Sequence, residues 1–137
     1  MTTELAPGVF APAGSLAPVP ARRRTDPQDG RAALNRVLEA HTMEPPDLRD
    51  AVRFLLEELA ARAPGRSVEV RVPPYGAVQC VGGPRHTRGT PPNVVETDPM
   101  TWVSLATGGT SWPDAVAGGL VQASGERADQ SDFLPLF

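Results

Sequence analysis

The chain has 137 residues and, with 13 basic against 16 acidic side chains, a net charge of -3; that is enough for one domain and excludes the strong basic pull of a protein built for nucleic acid or an anionic membrane. Hydrophobic residues make up 40% and the mean hydropathy is -0.23, as in an ordinary soluble domain, with no run near the ~18 apolar residues that span a membrane. Cys80 is the single cysteine, which rules out an intramolecular disulfide and fits a reducing, cytoplasmic setting.

Residues 1–27 hold Pro7, Pro12, Pro18, Pro20 and Pro27 among Ala, Gly and Ser, with Arg22-Arg23-Arg24 near the end. Proline at that density forbids a regular helix or central strand, so a flexible, polyproline-like tail with solvated arginines is expected. A leader peptide is not expected either, because MTTELAPGVFAPAG has neither a basic start nor a continuous apolar stretch. A single domain is expected over 28–137.

The first periodic segment is RAALNRVLEAHT, where Ala33, Leu34, Val37 and Leu38 form a helical stripe. Pro45 and Pro46 suit the first turn of a second helix. From Asp47 to Ala63 its apolar face runs through Leu48, Val52, Leu55, Leu56, Leu59 and Ala63, with Arg53 and Glu57 spaced for a surface ion pair, and Pro64-Gly65 marks the stop. The period then falls to two. SVEVRVPP alternates Val68, Val70 and Val72 with Glu69 and Arg71, and AVQCV follows a Pro-Pro-Tyr-Gly turn as its hairpin partner.

A Gly/Pro/Arg-rich loop leads to a third strand, NVVET. Asp98-Pro99 reads as an N-cap followed by a first-turn proline, and Gly108-Gly109 as the end of that helix. Ser111-Trp112-Pro113-Asp114 fits the capping pattern of a second short helix, which Gly118-Gly119 closes. Trp102 shares a face with Leu105 and Ala106, and Trp112 with Val116. LVQAS is a fourth strand, and the apolar SDFLPLF is a terminal helix or turn. The fold class is α+β, with a mainly antiparallel sheet and helices covering one face.

Three runs give this order a familiar look: RAPGRSVEVRVPPYGAVQC (62–80), GPRHTRGTPPNVVETDPMTW (83–102) and SGERADQSDFLPLF (124–137). From about Asp47 to Phe137 the chain resembles the sterol-carrier-protein family, in particular its small bacterial branch. The resemblance implies a curved sheet of four to five strands with helices on one face, enclosing an apolar tunnel for a lipid or acyl chain. It also implies binding or transfer without chemical change and without a cofactor. The fold is shared with the C-terminal domain of maleylpyruvate isomerase-like proteins, whose metal chemistry sits on a separate helical domain. The segment 82–92 departs from the pattern, being no clean strand, and Pro135 interrupts the terminal helix.

The expected ligand-binding residues are Trp102, Leu105, Trp112, Val116, Phe133, Leu136 and Phe137, with Leu134 in the same apolar set. Arg85 and Arg88, flanking His86 in a glycine-rich loop, are the expected head-group contacts. No catalytic residue and no metal site is expected: His41 and His86 are too few for zinc, and Cys80 has no orienting partner. The expected partner is therefore a lipid or other apolar small molecule, with no nucleic acid and no integral membrane segment. The alternative is an interaction or accessory module with a filled core, docking Phe133, Leu136 and Phe137 on a protein partner or a weak homodimer, and assisting an isomerase-type enzyme.

Overall fold

Every helix has a proline in its first turn, where the missing N–H leaves no bond unmade. In the computed structural model, which describes residues 24–40, 44–83 and 93–137, these are α1 (Pro27–Ala40), α2 (Pro45–Arg62), α3 (Pro99–Thr107) and α4 (Trp112–Ala117). Helix α1 starts four residues ahead of the periodic segment that begins at Arg31, because Asp26 Oδ1 accepts the N–H groups of Gln28 and Asp29 at 2.8 and 3.3 Å. Asp98 caps α3 by accepting the Thr101 N–H at 2.9 Å, and Gly108 ends it in the left-handed region at φ 86°. Ser111 accepts the Asp114 N–H at the start of α4. All three of these signals in 98–114 were legible from sequence, since each is settled within four residues.

The strands β1 (Val68–Val72), β2 (Gly76–Cys80), β3 (Asn93–Thr97) and β4 (Val121–Ser124) form one sheet in the order β2-β1-β3-β4. Two of its pairings are antiparallel, as expected, whereas β1 and β3 run parallel with Val68 opposite Asn93. The sheet is therefore mixed and open, within the α+β class. On β1 and β3 the side chains alternate between buried and half-buried, as one covered face requires. Val68, Val70, Val72, Cys80 and Val95 point to the helices. The registers line up Glu69, Arg71, Val94 and Glu96 on the other face, where Arg71 pairs with Glu69 at 2.8 Å.

Helix α2 is the centre of the molecule. It packs on β2, on α3 and on α1, so its buried set extends beyond the predicted stripe to Ala51, Phe54, Glu57 and Ala60. The expected Arg53–Glu57 pair is corrected by this geometry. Glu57 is turned inward and accepts the backbone N–H groups of Arg24 and Thr25 at 3.0 and 3.1 Å, while Arg53 donates to the Tyr75 carbonyl at 2.8 Å. Leu38, counted in the α1 stripe, is exposed.

Gly30 is buried where α1 meets α2, and a Cβ placed there would lie 2.5 Å from the Phe54 Cβ. In an open helix Gly→Ala gains up to about 1 kcal/mol. Here the clash reverses the sign, and Gly30→Ala is expected to lose about 1–3 kcal/mol by overpacking, read by urea denaturation of the full chain. A gain in stability would show that α1 does not sit this close.

Candidate functional site

The layer between sheet and helices ends where several elements converge. Strand β1 begins, β2 finishes and β3 begins at the Val68, Cys80 and Asn93 end. Helix α3 leaves β3 at the opposite end and runs back, so its C-terminal Ala106 and Thr107 lie toward this one. The segment after β4 crosses here. Its Arg127 N–H donates to Asn93 Oδ1 at 2.9 Å, and Asn93 Nδ2 donates to the Ser67 carbonyl at 2.7 Å. Further on, the Leu136 N–H donates to the Ala106 carbonyl at 2.8 Å, and Arg62 Nη1 donates to the Leu136 carbonyl. This segment holds turns at 126–127 and 131–133 and no helix, because Pro135 removes a donor that a terminal helix would need.

Of the predicted ligand-binding residues, Trp102, Leu105, Trp112 and Leu136 are buried, and Phe133 is partly buried against the same core. Trp102 is held by its indole Nε1, which donates to the Val52 carbonyl of α2 at 3.3 Å. Val116 departs from the expected shared face with Trp112 and is 43% exposed. The six residues of α4 bury Trp112 and Ala115 instead, and a helix of under two turns has too little length to define its face by period. Leu120, just past α4, is 49% exposed. The predicted head-group contacts Arg85 and Arg88 lie outside the described residues, as do His41 and His86.

Phe137 has surroundings that nothing in the periodicity signals. Its ring stacks on Phe54 with centroids 6.2 Å apart and planes 8° from parallel. The guanidinium carbons of Arg31 and Arg62 lie 4.7 and 4.6 Å from its centroid. Each contact is of the cation–π kind, worth about 0.5–1 kcal/mol when exposed. The C-terminal segment is thus latched to α1, α2 and α3 at once. Phe54 was the clue available in the sequence: an aromatic side chain off the leucine stripe of α2.

Cys80 is fully buried, and burial pushes its thiol from 9.0 up to about 12, so the nucleophilic thiolate is unfavourable at neutral pH. Among the described residues, no group of three or more His, Cys, Asp or Glu could hold a metal ion, and no helix is long and apolar enough to cross a membrane.

No curated protein matches the chain. The profile of the family described as bacterial SCP ortholog matches residues 44–136, starting at the mouth of α2 and taking in the whole sheet, α3, α4 and nearly all of the crossing segment; α1 lies ahead of the match. With more than half of its 137 residues covered, and helices packed on one face of a small α+β sheet, the chain belongs to the bacterial branch of the sterol-carrier-protein family.

Proposed function

We propose that this protein binds a lipid, acyl chain or similar amphipathic molecule between its sheet and helices, and carries it without chemical change. The observation that carries this reading is the apolar layer closed at one end by residues 126–137, a segment outside any helix or strand and held by individual contacts that can part without breaking a strand or helix. Membership of a family of generally non-catalytic carriers supports it. Trp102, Leu105, Trp112, Phe133 and Leu136 would line the guest's path and Phe137 its rim, with Arg85 and Arg88 meeting the head group. Each CH₂ buried contributes about 0.8 kcal/mol, so an acyl chain binds without needing a polar anchor. The reading places the protein in the cytoplasm, where its one cysteine stays reduced.

Opening would require the Phe137 latch to part. Arg62→Ala removes one guanidinium from the ring and one donor from the Leu136 carbonyl, together about 1.4 kcal/mol. Release of a fluorescent long-chain fatty acid, followed by stopped flow, is expected to become about tenfold faster. An unchanged rate with binding intact would place the gate elsewhere; no binding by either form would end the carrier reading.

A second reading has one observation in its favour. Val116 and Leu120 are exposed at the corner between α4 and β4, and β4 is an edge strand with no charged residue in Val121–Ser124, features of a surface that meets another protein.

A further inference from the structure

Gln130 is 1% exposed, inside the crossing segment that closes the layer. Its backbone carbonyl is engaged, accepting the N–H groups of Phe133 and Leu134 at 3.0 and 3.1 Å. Its side-chain Nε2 reaches the Ala128 carbonyl at 3.5 Å. Its Oε1 has no partner within the protein, the one buried side-chain polar atom so placed among the described residues. The contact to the Ala128 carbonyl sets which way the amide faces. A flip would set Oε1 against the Ala128 carbonyl, acceptor against acceptor.

A buried acceptor without a donor is costly, and native folds rarely keep one without a use. Ala128 and Leu136 are buried in the same segment, and Phe133 and Leu134 pack on the core beside it. A buried acceptor in a segment that otherwise buries apolar side chains matches a donor group on a guest whose remainder is hydrocarbon.

We propose that Gln130 Oε1 is the anchor for a hydrogen-bond-donating group, a hydroxyl, on the amphipathic molecule that this protein carries. The assignment rests on the carrier reading and adds a chemical preference to it. An alcohol donates to Oε1. An ether of the same length cannot, and an ionised carboxylate presents a second acceptor to the first. A site that expects a donor discriminates against the analogue lacking one, because its own group is left unpaired.

The test compares 1-decanol with its isomer 1-methoxynonane in displacing a fluorescent fatty acid from the full chain. Wild-type protein is expected to bind the alcohol about tenfold more tightly than the ether, the effect of a hydrogen bond that also relieves a buried orphan. Gln130→Met keeps the length and shape of the side chain and removes the acceptor. It is expected to bind the two probes equally and to unfold at no lower a urea concentration than wild type. Equal binding of both probes to wild type, with Oε1 filled by water only, would overturn the anchor and leave the carrier reading standing. Selectivity that survives in Gln130→Met would overturn it too. Failure of either probe to displace the fatty acid because none binds would overturn both. The wild-type comparison needs no variant, so a Gln130→Met chain that fails to fold leaves the proposal open to refutation.

Discussion

Trp102→Ala is expected to lose about 3–5 kcal/mol of unfolding free energy, the range for deleting a large aromatic from a core. A small domain holds about 5–15 kcal/mol in all, so the variant should be largely unfolded at temperatures where the wild type is intact. The reason lies in where α3 puts the ring. Asp98 and Pro99 set the start of the helix, which fixes Trp102 on its inner face, 2% exposed, with the indole donating to the Val52 carbonyl. The side chain thereby ties α3 to α2 across the middle of the molecule. Trp102→Phe separates packing from hydrogen bonding. It should lose only about 1–2 kcal/mol, since most of the ring volume stays. Urea denaturation of both variants reads the difference; a loss below about 1 kcal/mol in Trp102→Ala would mean that the indole does not hold α3 on α2.

Alkaline pH should destabilise the fold through Cys80. Burial holds its thiol at about 12 against the ordinary 9.0. The folded state therefore keeps the proton that the unfolded chain releases first. Stability from this group is complete below about pH 9 and declines between 9 and about 12. The slope is about 1.4 kcal/mol per pH unit for a single proton, levelling off once the folded form also ionises. Cys80→Ala should be less stable at neutral pH, through lost packing, yet flatter across that window. The difference in slope between the two proteins isolates the thiol from every other titrating group. Parallel curves would show that Cys80 is not as enclosed as the structure places it. At pH 8 the native thiol should also resist a disulfide reagent that labels the denatured chain completely.

Local signals carried most of the secondary structure. The caps at Asp98 and Ser111, the glycine stop at Gly108 and the alternation of Val68, Val70 and Val72 each depend on a few neighbouring residues, and each was legible. The parallel pairing of β1 with β3 was not, because nothing within Asn93–Thr97 says which strand it lies beside. Glu57 misled for a related reason. Its spacing from Arg53 fits a surface pair, and its true partners, the N–H groups of Arg24 and Thr25, come from far back in the chain. The same holds for the candidate site. Burial of Trp102, Leu105, Trp112 and Leu136 followed from helical faces and an apolar terminus, whereas the Phe54–Phe137 stack with its two arginines required the fold to bring together α1, α2 and the last residue. Gln130 was invisible as well, since a polar residue in a polar-looking run, RADQSD, reads as surface until the chain is seen to plug the core.

The central claim is that the layer between sheet and helices holds a guest. Native mass spectrometry of the full chain, purified without detergent, tests it most directly, with solvent extraction to identify what is released. The account predicts a population heavier than the polypeptide by the mass of a lipid-sized molecule, lost on denaturation and displaced by added fatty acid. A single species at the polypeptide mass, unchanged after incubation with long-chain acids and alcohols, would contradict it.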